Sequence, residues 1–156
     1  METLAAMDAK LAALRQGYEC SCGQTHHLSI ADIEVAHNVL ARIPDRLRAL
    51  GLEGPVHLIA DTNTQAAAGA QVADALRQAG FSVSETVFAT PDKALVPNEP
   101  VLARLFIEVP ITAEALIAVG AGTITDLVRF AAYKMGKPFV SVPTAPSMDG
   151  YASAVS

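Results

Sequence analysis

Several features are scarce in this sequence of 156 residues: it has no tryptophan, two cysteines and 17% charged side chains. The two cysteines, Cys20 and Cys22, are separated by one residue, which is too close for an ordinary structural disulfide. A scaffold held together by disulfides is therefore excluded. Basic residues are not in excess, because the formal net charge is −5. Binding to the phosphate backbone of nucleic acids is accordingly not expected.

Long apolar runs are also missing from the sequence. Proline, glycine or charged residues interrupt each run well before the roughly 18 residues that a membrane-spanning helix needs. The first residues include Glu2 and Asp8 and lack the basic region and apolar core of a secretory signal. We therefore expect a cytoplasmic protein without a membrane partner.

Hydrophobic residues make up 51% of the chain, and short apolar runs alternate with helical patterns. This alternation predicts one α/β domain, a Rossmann-like parallel sheet flanked by helices that holds ligands beyond the carboxyl ends of its strands. The helix at 32–50 is expected to bend or break near Pro44. The predicted helices are 4–17, 32–50, 63–79, 101–107 and 123–135, and the predicted strands are 27–30, 56–60, 81–88, 115–119 and 138–142.

A glycine-rich turn follows the predicted strand 115–119. Gly120 and Gly122 precede a helical pattern and expose backbone N–H groups where a helix begins, which suits the pyrophosphate of a dinucleotide. The motif is not complete as a dinucleotide fingerprint, because Thr125 stands where a third glycine is expected. A plain tight turn remains the alternative. Asp126, expected in the first helical turn, favours the nucleotide interpretation.

Asp61 follows a different predicted strand, 56–60. Its carboxylate could accept hydrogen bonds from both hydroxyls of an adenosine ribose while the glycine turn holds phosphate. The alternative is that Asp61 only caps the helix at 63–79.

Four polar side chains, Thr144, Ser147, Asp149 and Ser153, lie just after the last predicted strand. Burying them would cost free energy unless ligand, water or backbone satisfied them, so they predict a binding site. A capped loop is the alternative.

Cys20 and Cys22, with His26 and His27 nearby, suggest a second kind of site. Thiolate and imidazole are zinc ligands, so a metal site is conceivable. A plain strand and turn is the favoured interpretation, because adjacent histidines point to opposite sides of an extended chain, and no residue is assigned to a metal.

The segments Gly120-Ala-Gly-Thr-Ile-Thr-Asp126 and Pro138-Phe-Val-Ser-Val-Pro-Thr-Ala-Pro-Ser-Met-Asp-Gly-Tyr-Ala-Ser153 resemble the sn-glycerol-1-phosphate dehydrogenase family. That family lies in the superfamily of glycerol dehydrogenase, iron-containing alcohol dehydrogenase and dehydroquinate synthase. The resemblance is close over 115–156, and 59–64 is similar to the family's first nucleotide strand. A middle glycine common in the superfamily is Ala121 here.

The resemblance implies a role for each site residue. The backbone of Gly122, Thr123, Ile124, Thr125 and Asp126 would hold the pyrophosphate of NAD or NADP, and Asp61 would bind the adenosine ribose. Thr144, Ala145, Pro146, Ser147 and Ser153 would line the cofactor, and Asp149 would contact the glycerol phosphate.

The resemblance also implies partners and a metal. Residues 1–156 would be the NAD(P)-binding N-terminal domain of a two-domain dehydrogenase, which acts on a phosphorylated polyol and could form a homo-oligomer. Zinc or nickel would be bound by one Asp and two His of a helical second domain beyond Ser156, because His26, His27, His37 and His57 do not match those ligands. A dehydroquinate synthase-like enzyme, a polyol dehydrogenase and a non-catalytic nucleotide-binding module remain alternatives.

Overall fold

The computed structural model describes residues 12–27, 30–90 and 95–145. The chain divides into two compact units, Met1–Val35 and Ala36–Ser156. In the first unit, residues 12–16 are helical, and strands β1 (Tyr18–Glu19) and β2 (Thr25–His26) form an antiparallel hairpin. Residues 4–11 of the predicted first helix, and Leu28 and Ser29 of the predicted strand 27–30, lie outside the described residues, and Gly17 is not helical. His27 and Ile30, the described residues of that predicted strand, are not in a strand, so the prediction is wrong there; the strand that the structure shows is Thr25–His26.

The second unit contains a parallel sheet of four strands in the order β4, β3, β5, β6. Its strands are β3 (Val56–Asp61), β4 (Val83–Phe88), β5 (Ala115–Val119) and β6 (Phe139–Val142). Its helices are a 3₁₀ turn (Val39–Arg42), α1 (Ile43–Ala49), α2 (Thr62–Thr64), a π-helical turn (Gln65–Gly69), α3 (Ala70–Gln78), α4 (Glu99–Glu108) and α5 (Gly122–Met135). The predicted α/β fold with a parallel sheet flanked by helices is confirmed.

Two apolar layers enclose the sheet, because successive side chains of a strand point to opposite faces. Leu58 and Ala60 of β3 pack with Leu47 of α1 and Leu76 of α3. On the opposite face, Ile59 packs with residues of α4 and α5, among them Leu105, Leu127 and Val128. β5 is buried on both faces, which explains why its sequence is continuously apolar.

The predicted helix 32–50 is wrong in its first half. Residues 30–36 are irregular, Asn38 has a left-handed φ of 56°, and α1 begins only at Ile43. Pro44 lies in the first turn of α1, where its missing N–H breaks no helical hydrogen bond. The proline therefore starts this helix and does not bend it.

The predicted helix 101–107 is longer in the structure, because Asn98 caps α4 and Pro100 lies in its first turn. The described part of the chain contains no helix of the length and apolarity needed to cross a membrane.

Candidate cofactor site at the carboxyl edge of the sheet

The turn after β3 is closed by side chains. Asp61 is the N-cap of α2, and its Oδ1 accepts hydrogen bonds from the backbone N–H of Asn63 and of Thr64, both at 2.9 Å. The Thr64 hydroxyl in turn accepts from the Asp61 N–H at 3.0 Å, which completes a capping box. Within the part of the chain that the structure describes, no group donates to Asp61 Oδ2. One oxygen caps the helix, and the other remains available to a ligand.

The turn after β5 is built differently. Ala121 is the N-cap of α5, and no side chain makes a capping hydrogen bond there. Gly122 follows with a φ of 25°, in the left-handed region that favours glycine. The first N–H groups of a helix have no partner within the helix, and the helix dipole gives that end a partial positive charge. The start of α5 is therefore suited to an anion.

Gly120 is required by packing at the same turn. A Cβ atom on Gly120 would lie 2.7 Å from Ile124 Cβ, closer than two carbon atoms can approach. Ile124 is itself buried beneath the turn, and the Thr125 hydroxyl, also buried, donates to the Gly120 carbonyl at 3.5 Å. Of the predicted pyrophosphate-binding residues, Ile124 and Thr125 are thus buried, and the Ile124 N–H already donates to the Ala121 carbonyl at 3.1 Å.

Strand pairing brings the two turns together. β3 lies beside β5 with Ile59 opposite Ala118, and continuing this register places Asp61 opposite Gly120. The chain leaves β3 toward β4 on one side and later returns to β5 on the other side. The gap between β3 and β5 is therefore the topological switch point, where parallel α/β sheets bind their ligands.

The residues after β6 join this edge. The Gly120 N–H donates to the Val142 carbonyl at 3.1 Å, which places the following Thr144 and Ala145, both partly exposed, beside the glycine turn. The other predicted residues of this segment lie outside the described residues: Pro146, Ser147, Asp149 and Ser153.

The predicted position of Asp126 is wrong by one turn. Helix α5 begins at Gly122, so Asp126 lies in the second turn, and no acidic residue occupies the first turn. Thr123 does lie in that first turn and is partly exposed. Because a carboxylate next to a phosphate would repel it, the absence of an acid from the first turn suits anion binding better than the predicted arrangement.

Two threonines at this edge were not predicted as site residues. The Thr62 hydroxyl donates to the Phe88 carbonyl at 3.2 Å and accepts from the Thr90 N–H at 3.2 Å, which joins the ends of β3 and β4. The Thr90 side-chain oxygen is buried and has no hydrogen-bond partner among the described residues. The position of Thr90 just after a strand was the available signal.

A separate polar cluster lies inside the sheet. His57 on β3 is buried, with Nδ1 2.7 Å from Ser84 Oγ and Nε2 3.0 Å from Thr86 Oγ1. Thr86 donates its hydroxyl proton to Glu108 at 2.7 Å, so its oxygen is left to accept from the Nε2–H of His57. In a neutral His57 ring, Nδ1 is then the acceptor and the Ser84 hydroxyl is the donor. Every polar group in this cluster has a partner within the chain, which indicates a structural role.

Burial lowers the pKa of His57, although the negative charges of Glu108 and Glu85 oppose the shift. The pKa of Glu108 is also lowered, first by the hydrogen bond from Arg104 and then by the one from Thr86.

One group of possible metal ligands occurs among the residues that the structure describes. Cys20, Cys22 and His26 place their ligand atoms within 4.8 Å of one another. The group lies in the hairpin of the first unit.

Comparison with known proteins identifies the family of the chain. Residues 34–156 match the model of the family described as iron-containing alcohol dehydrogenase. The chain belongs to that family. The glycerol-1-phosphate dehydrogenase [NAD(P)+] of Halalkalibacterium halodurans is 38% identical over 143 residues, which are 90% of this chain and 36% of the relative. The enzyme of the same name from Bacillus licheniformis is 39% identical over 137 residues, covering 86% of this chain and 34% of its own length.

The family fold is also seen in a solved structure. Glycerol dehydrogenase from Schizosaccharomyces pombe superposes with a TM-score of 0.62 and 24% identity, covering 72% of this chain and 27% of that chain. This likeness confirms the predicted fold and no more. The chain spans about a third of the length of the curated relatives that it matches.

Proposed function

We propose that the chain forms the cofactor-binding part of an NAD(P)-dependent dehydrogenase that interconverts sn-glycerol 1-phosphate and dihydroxyacetone phosphate. The observation that carries the proposal is the pairing of two turns at the switch point. One turn presents an uncapped helix N-terminus, and the other presents a carboxylate oxygen without a partner among the described residues. These are complementary to the pyrophosphate and the ribose of a dinucleotide. The relatives that match most of the chain carry the name of this enzyme.

Different residues bind different parts of the dinucleotide. Backbone N–H groups at Gly122 and Thr123 hold the pyrophosphate, and Gly120 allows the turn to lie close to α5. Asp61 Oδ2 accepts from the ribose hydroxyls, while Oδ1 keeps the carboxylate fixed on the helix. Thr144 and Ala145 line the same edge. Positioning the dinucleotide in this way is the contribution of this part of the enzyme to catalysis.

The bound cofactor, as NAD(P)H, supplies the hydride for the carbonyl carbon of dihydroxyacetone phosphate. We assign the substrate contact to Asp149, whose carboxylate can accept hydrogen bonds from hydroxyl groups. The Asp-His-His metal set implied by the resemblance does not match the described metal-ligating group, which contains two cysteines and one histidine. No step of the proposal passes through that metal.

The conservative variant Asp61→Asn tests the proposal sharply. The Asn side chain caps helices as well as Asp, and the cap fixes its oxygen toward Asn63 and Thr64. Its NH₂ group, which cannot accept a hydrogen bond, then faces the ribose. We expect NADH binding to weaken by about 1.5 to 3 kcal/mol, or tenfold or more, while the free energy of unfolding changes little. Binding is measured by NADH fluorescence titration of the enzyme that the gene encodes.

A matched control is Asp74→Asn, which removes the same charge from the exposed face of α3. Helix α3 runs away from the carboxyl edge, roughly 18 Å along the helix from Asp61, so this variant should bind NADH normally. NADPH adds a second comparison, because its 2′-phosphate meets a carboxylate in the wild type and a neutral amide in Asp61→Asn. The variant should therefore lose less affinity for NADPH than for NADH. Equal NADH affinity in wild type and Asp61→Asn would reduce Asp61 to a helix cap.

Activity is tested in the same enzyme by NADH-dependent reduction of dihydroxyacetone phosphate with zinc or nickel present. The product is then offered to an enzyme specific for sn-glycerol 3-phosphate, which should leave it untouched. Formation of the 3-phosphate enantiomer, or no turnover of dihydroxyacetone phosphate, would contradict the proposed reaction.

A further inference from the structure

We propose that Cys20, Cys22 and His26 form a three-ligand binding site for Zn²⁺, with a fourth coordination position open to water or to a ligand from elsewhere. The ligand atoms of all three residues lie within 4.8 Å of one another. This site shares no residue with the proposed cofactor site, and its proof or disproof does not depend on the dehydrogenase activity.

The hairpin turn decides where the two sulfurs lie. The Gly23 N–H donates to the Cys20 carbonyl and the Cys20 N–H donates to the Gln24 carbonyl, both at 2.9 Å. Gly23 has a φ of +82°, as a three-residue hairpin loop requires at this position. The tight turn folds Cys22 back over the start of the hairpin. Its sulfur lies 3.2 Å from His26 Nε2.

Strand pairing places the third ligand on the same face. Tyr18 lies directly opposite His26, and the two rings stack with centroids 5.5 Å apart. Alternate residues of a strand share a face, so Cys20 lies on the face of Tyr18 and is diagonal to His26. The tyrosine ring thereby holds the imidazole beside the two sulfurs.

The neighbouring histidine belongs to a different environment. A Cβ atom added to Gly17 would lie 2.5 Å from His27 Cε1, so the His27 ring covers Gly17. His27 is absent from the group whose ligand atoms converge. The two adjacent histidines therefore differ in their surroundings, which makes one of them a control for the other.

The dimensions and chemistry of the group suit zinc. Tetrahedral Zn²⁺ with zinc–sulfur bonds of about 2.3 Å and zinc–nitrogen bonds of about 2.0 Å separates its ligand atoms by roughly 3.5 to 3.8 Å. Small side-chain rotations bring the observed group to this spacing. Two soft thiolates and an imidazole favour Zn²⁺ over Mg²⁺ or Ca²⁺, which prefer oxygen. Both cysteines are free of disulfides, and Cys22 is exposed to solvent.

The hairpin gives zinc a structural task. Each of its strands contains two residues, and a two-stranded hairpin of this size is marginally stable alone. A metal ion joining the turn to the second strand would hold the hairpin closed, because binding free energy at such a site is also folding free energy.

The test uses the chain of residues 1–156, freed of metal under reducing conditions and titrated with Zn²⁺ against a chromophoric chelator. We expect one Zn²⁺ per chain. Cys22→Ser and His26→Ala should each weaken binding by at least about 100-fold, more than the loss typical of residues that only support a ligand. His27→Ala should bind as the wild type does.

Cobalt substitution identifies the ligands directly, because thiolate coordination gives Co²⁺ an intense charge-transfer absorption. That band should appear in the wild type, weaken in Cys22→Ser and persist in His27→Ala. Circular dichroism checks that each variant retains the folded sheet. The proposal is overturned if the wild type binds zinc no more tightly than Cys22→Ser, if His27→Ala loses as much affinity as His26→Ala, or if bound Co²⁺ shows no thiolate band.

Discussion

Two neighbouring turns at the carboxyl edge of the sheet begin with N-cap residues that have nearly the same backbone angles. Only one of the two N-cap side chains makes capping hydrogen bonds. Asp61 has φ and ψ of −101° and 174°, and Ala121 has −112° and 175°. Each is the N-cap of the helix that follows its strand. Asp61 satisfies its helix with a carboxylate, whereas Ala121 has no side chain that can do so. The two N-cap residues thus share a backbone conformation and differ in the side chain, and the residue after the second cap, Gly122, also has a left-handed φ of 25°. Without a capping side chain, the start of the second helix is suited to an external anion.

Disrupting the packing beneath the turn after β5 should have the largest effect on stability. In Gly120→Ala the new methyl group meets Ile124 Cβ at 2.7 Å, and both atoms belong to tightly held parts of the fold. We expect the free energy of unfolding to fall by about 3 kcal/mol, near the upper end for overpacked cores. NADH affinity should fall as well, because the start of α5 must move. Urea denaturation and NADH titration measure the two effects.

Gly54→Ala is the matched control for that variant. Its new Cβ would meet the end of the Glu114 side chain at 2.8 Å, and this flexible group can move aside at the cost of the hydrogen bond that it accepts from the Gly54 N–H. The loss of stability should be clearly smaller. If both substitutions cost the same, the close contact between Gly120 and Ile124 is not what restricts the turn.

The buried cluster of His57, Ser84, Thr86 and Glu108 contrasts with the turn after β5, because its polar groups are paired within the chain. Thr86→Val keeps the shape but leaves the buried Nε2–H of His57 without its acceptor and removes one donor from Glu108. We expect a loss of about 1 to 3 kcal/mol in the free energy of unfolding, with NADH affinity unchanged. Thr90→Val removes a buried hydroxyl that has no partner among the described residues, so it should cost less.

The same cluster predicts how stability depends on pH. The pKa of His57 is lower in the fold than in the unfolded chain, so the unfolded chain binds the extra proton first. Above the unfolded pKa of about 6.5, His57 is neutral in both states and the full stability is present. As the pH falls from there through the folded pKa, the free energy of unfolding decreases, because the unfolded chain takes up the proton first. The lowered pKa of Glu108 adds a second loss at more acidic pH. A wild type whose stability is flat below pH 6.5 would contradict this account of His57.

Giving the open turn a cap of its own is the gentlest test. Ala121 already has the backbone angles of an N-cap, so Ala121→Asp should stabilise the fold by about 0.5 to 2 kcal/mol. The same carboxylate should weaken NADH binding, because it occupies the N–H groups and repels the pyrophosphate. Thermal unfolding and NADH titration show the two effects together.

Ala121→Ser separates capping from charge, because its hydroxyl caps without repelling phosphate. It should gain similar stability and lose less affinity than Ala121→Asp. If Ala121→Asp stabilises the protein and binds NADH normally, the pyrophosphate does not lie at the start of α5.

The sheet was predictable from sequence because its central strands are buried on both faces. The run at 115–119, which is entirely apolar, and the run at 56–60, which is apolar except for His57, match β5 and β3 closely. The start of α1 was harder to predict, since apolar residues at helical spacing continued through residues that the fold leaves irregular. The helix start is marked by Pro44, which suits the first turn of a helix, and by the left-handed Asn38 before it. The spacing of apolar residues carries no information about either feature.

The candidate cofactor site was predictable in its parts and less so in its arrangement. The sequence identified Asp61 and the glycine turn, but it treated capping and ribose binding by Asp61 as alternatives. The structure assigns capping to one oxygen and leaves the other without a described partner, a distinction that depends on side-chain geometry. The cysteine and histidine group depends likewise on the turn at Gly23, which sets the face that each side chain occupies.

The pairing of the strands also bears on the order in which the sheet forms during folding. β5 and β6 are joined by one helix, whereas β3 must pair with β5 across α2, the π-helical turn, α3, β4 and α4. Loop closure over a longer stretch of chain costs more entropy and slows folding. The crevice between Asp61 and Gly120 is created by that distant pairing. A chain that has assembled only its β5–α5–β6 segment therefore has half of the proposed nucleotide crevice, and the proposed dinucleotide binding becomes possible only once β3 has paired with β5.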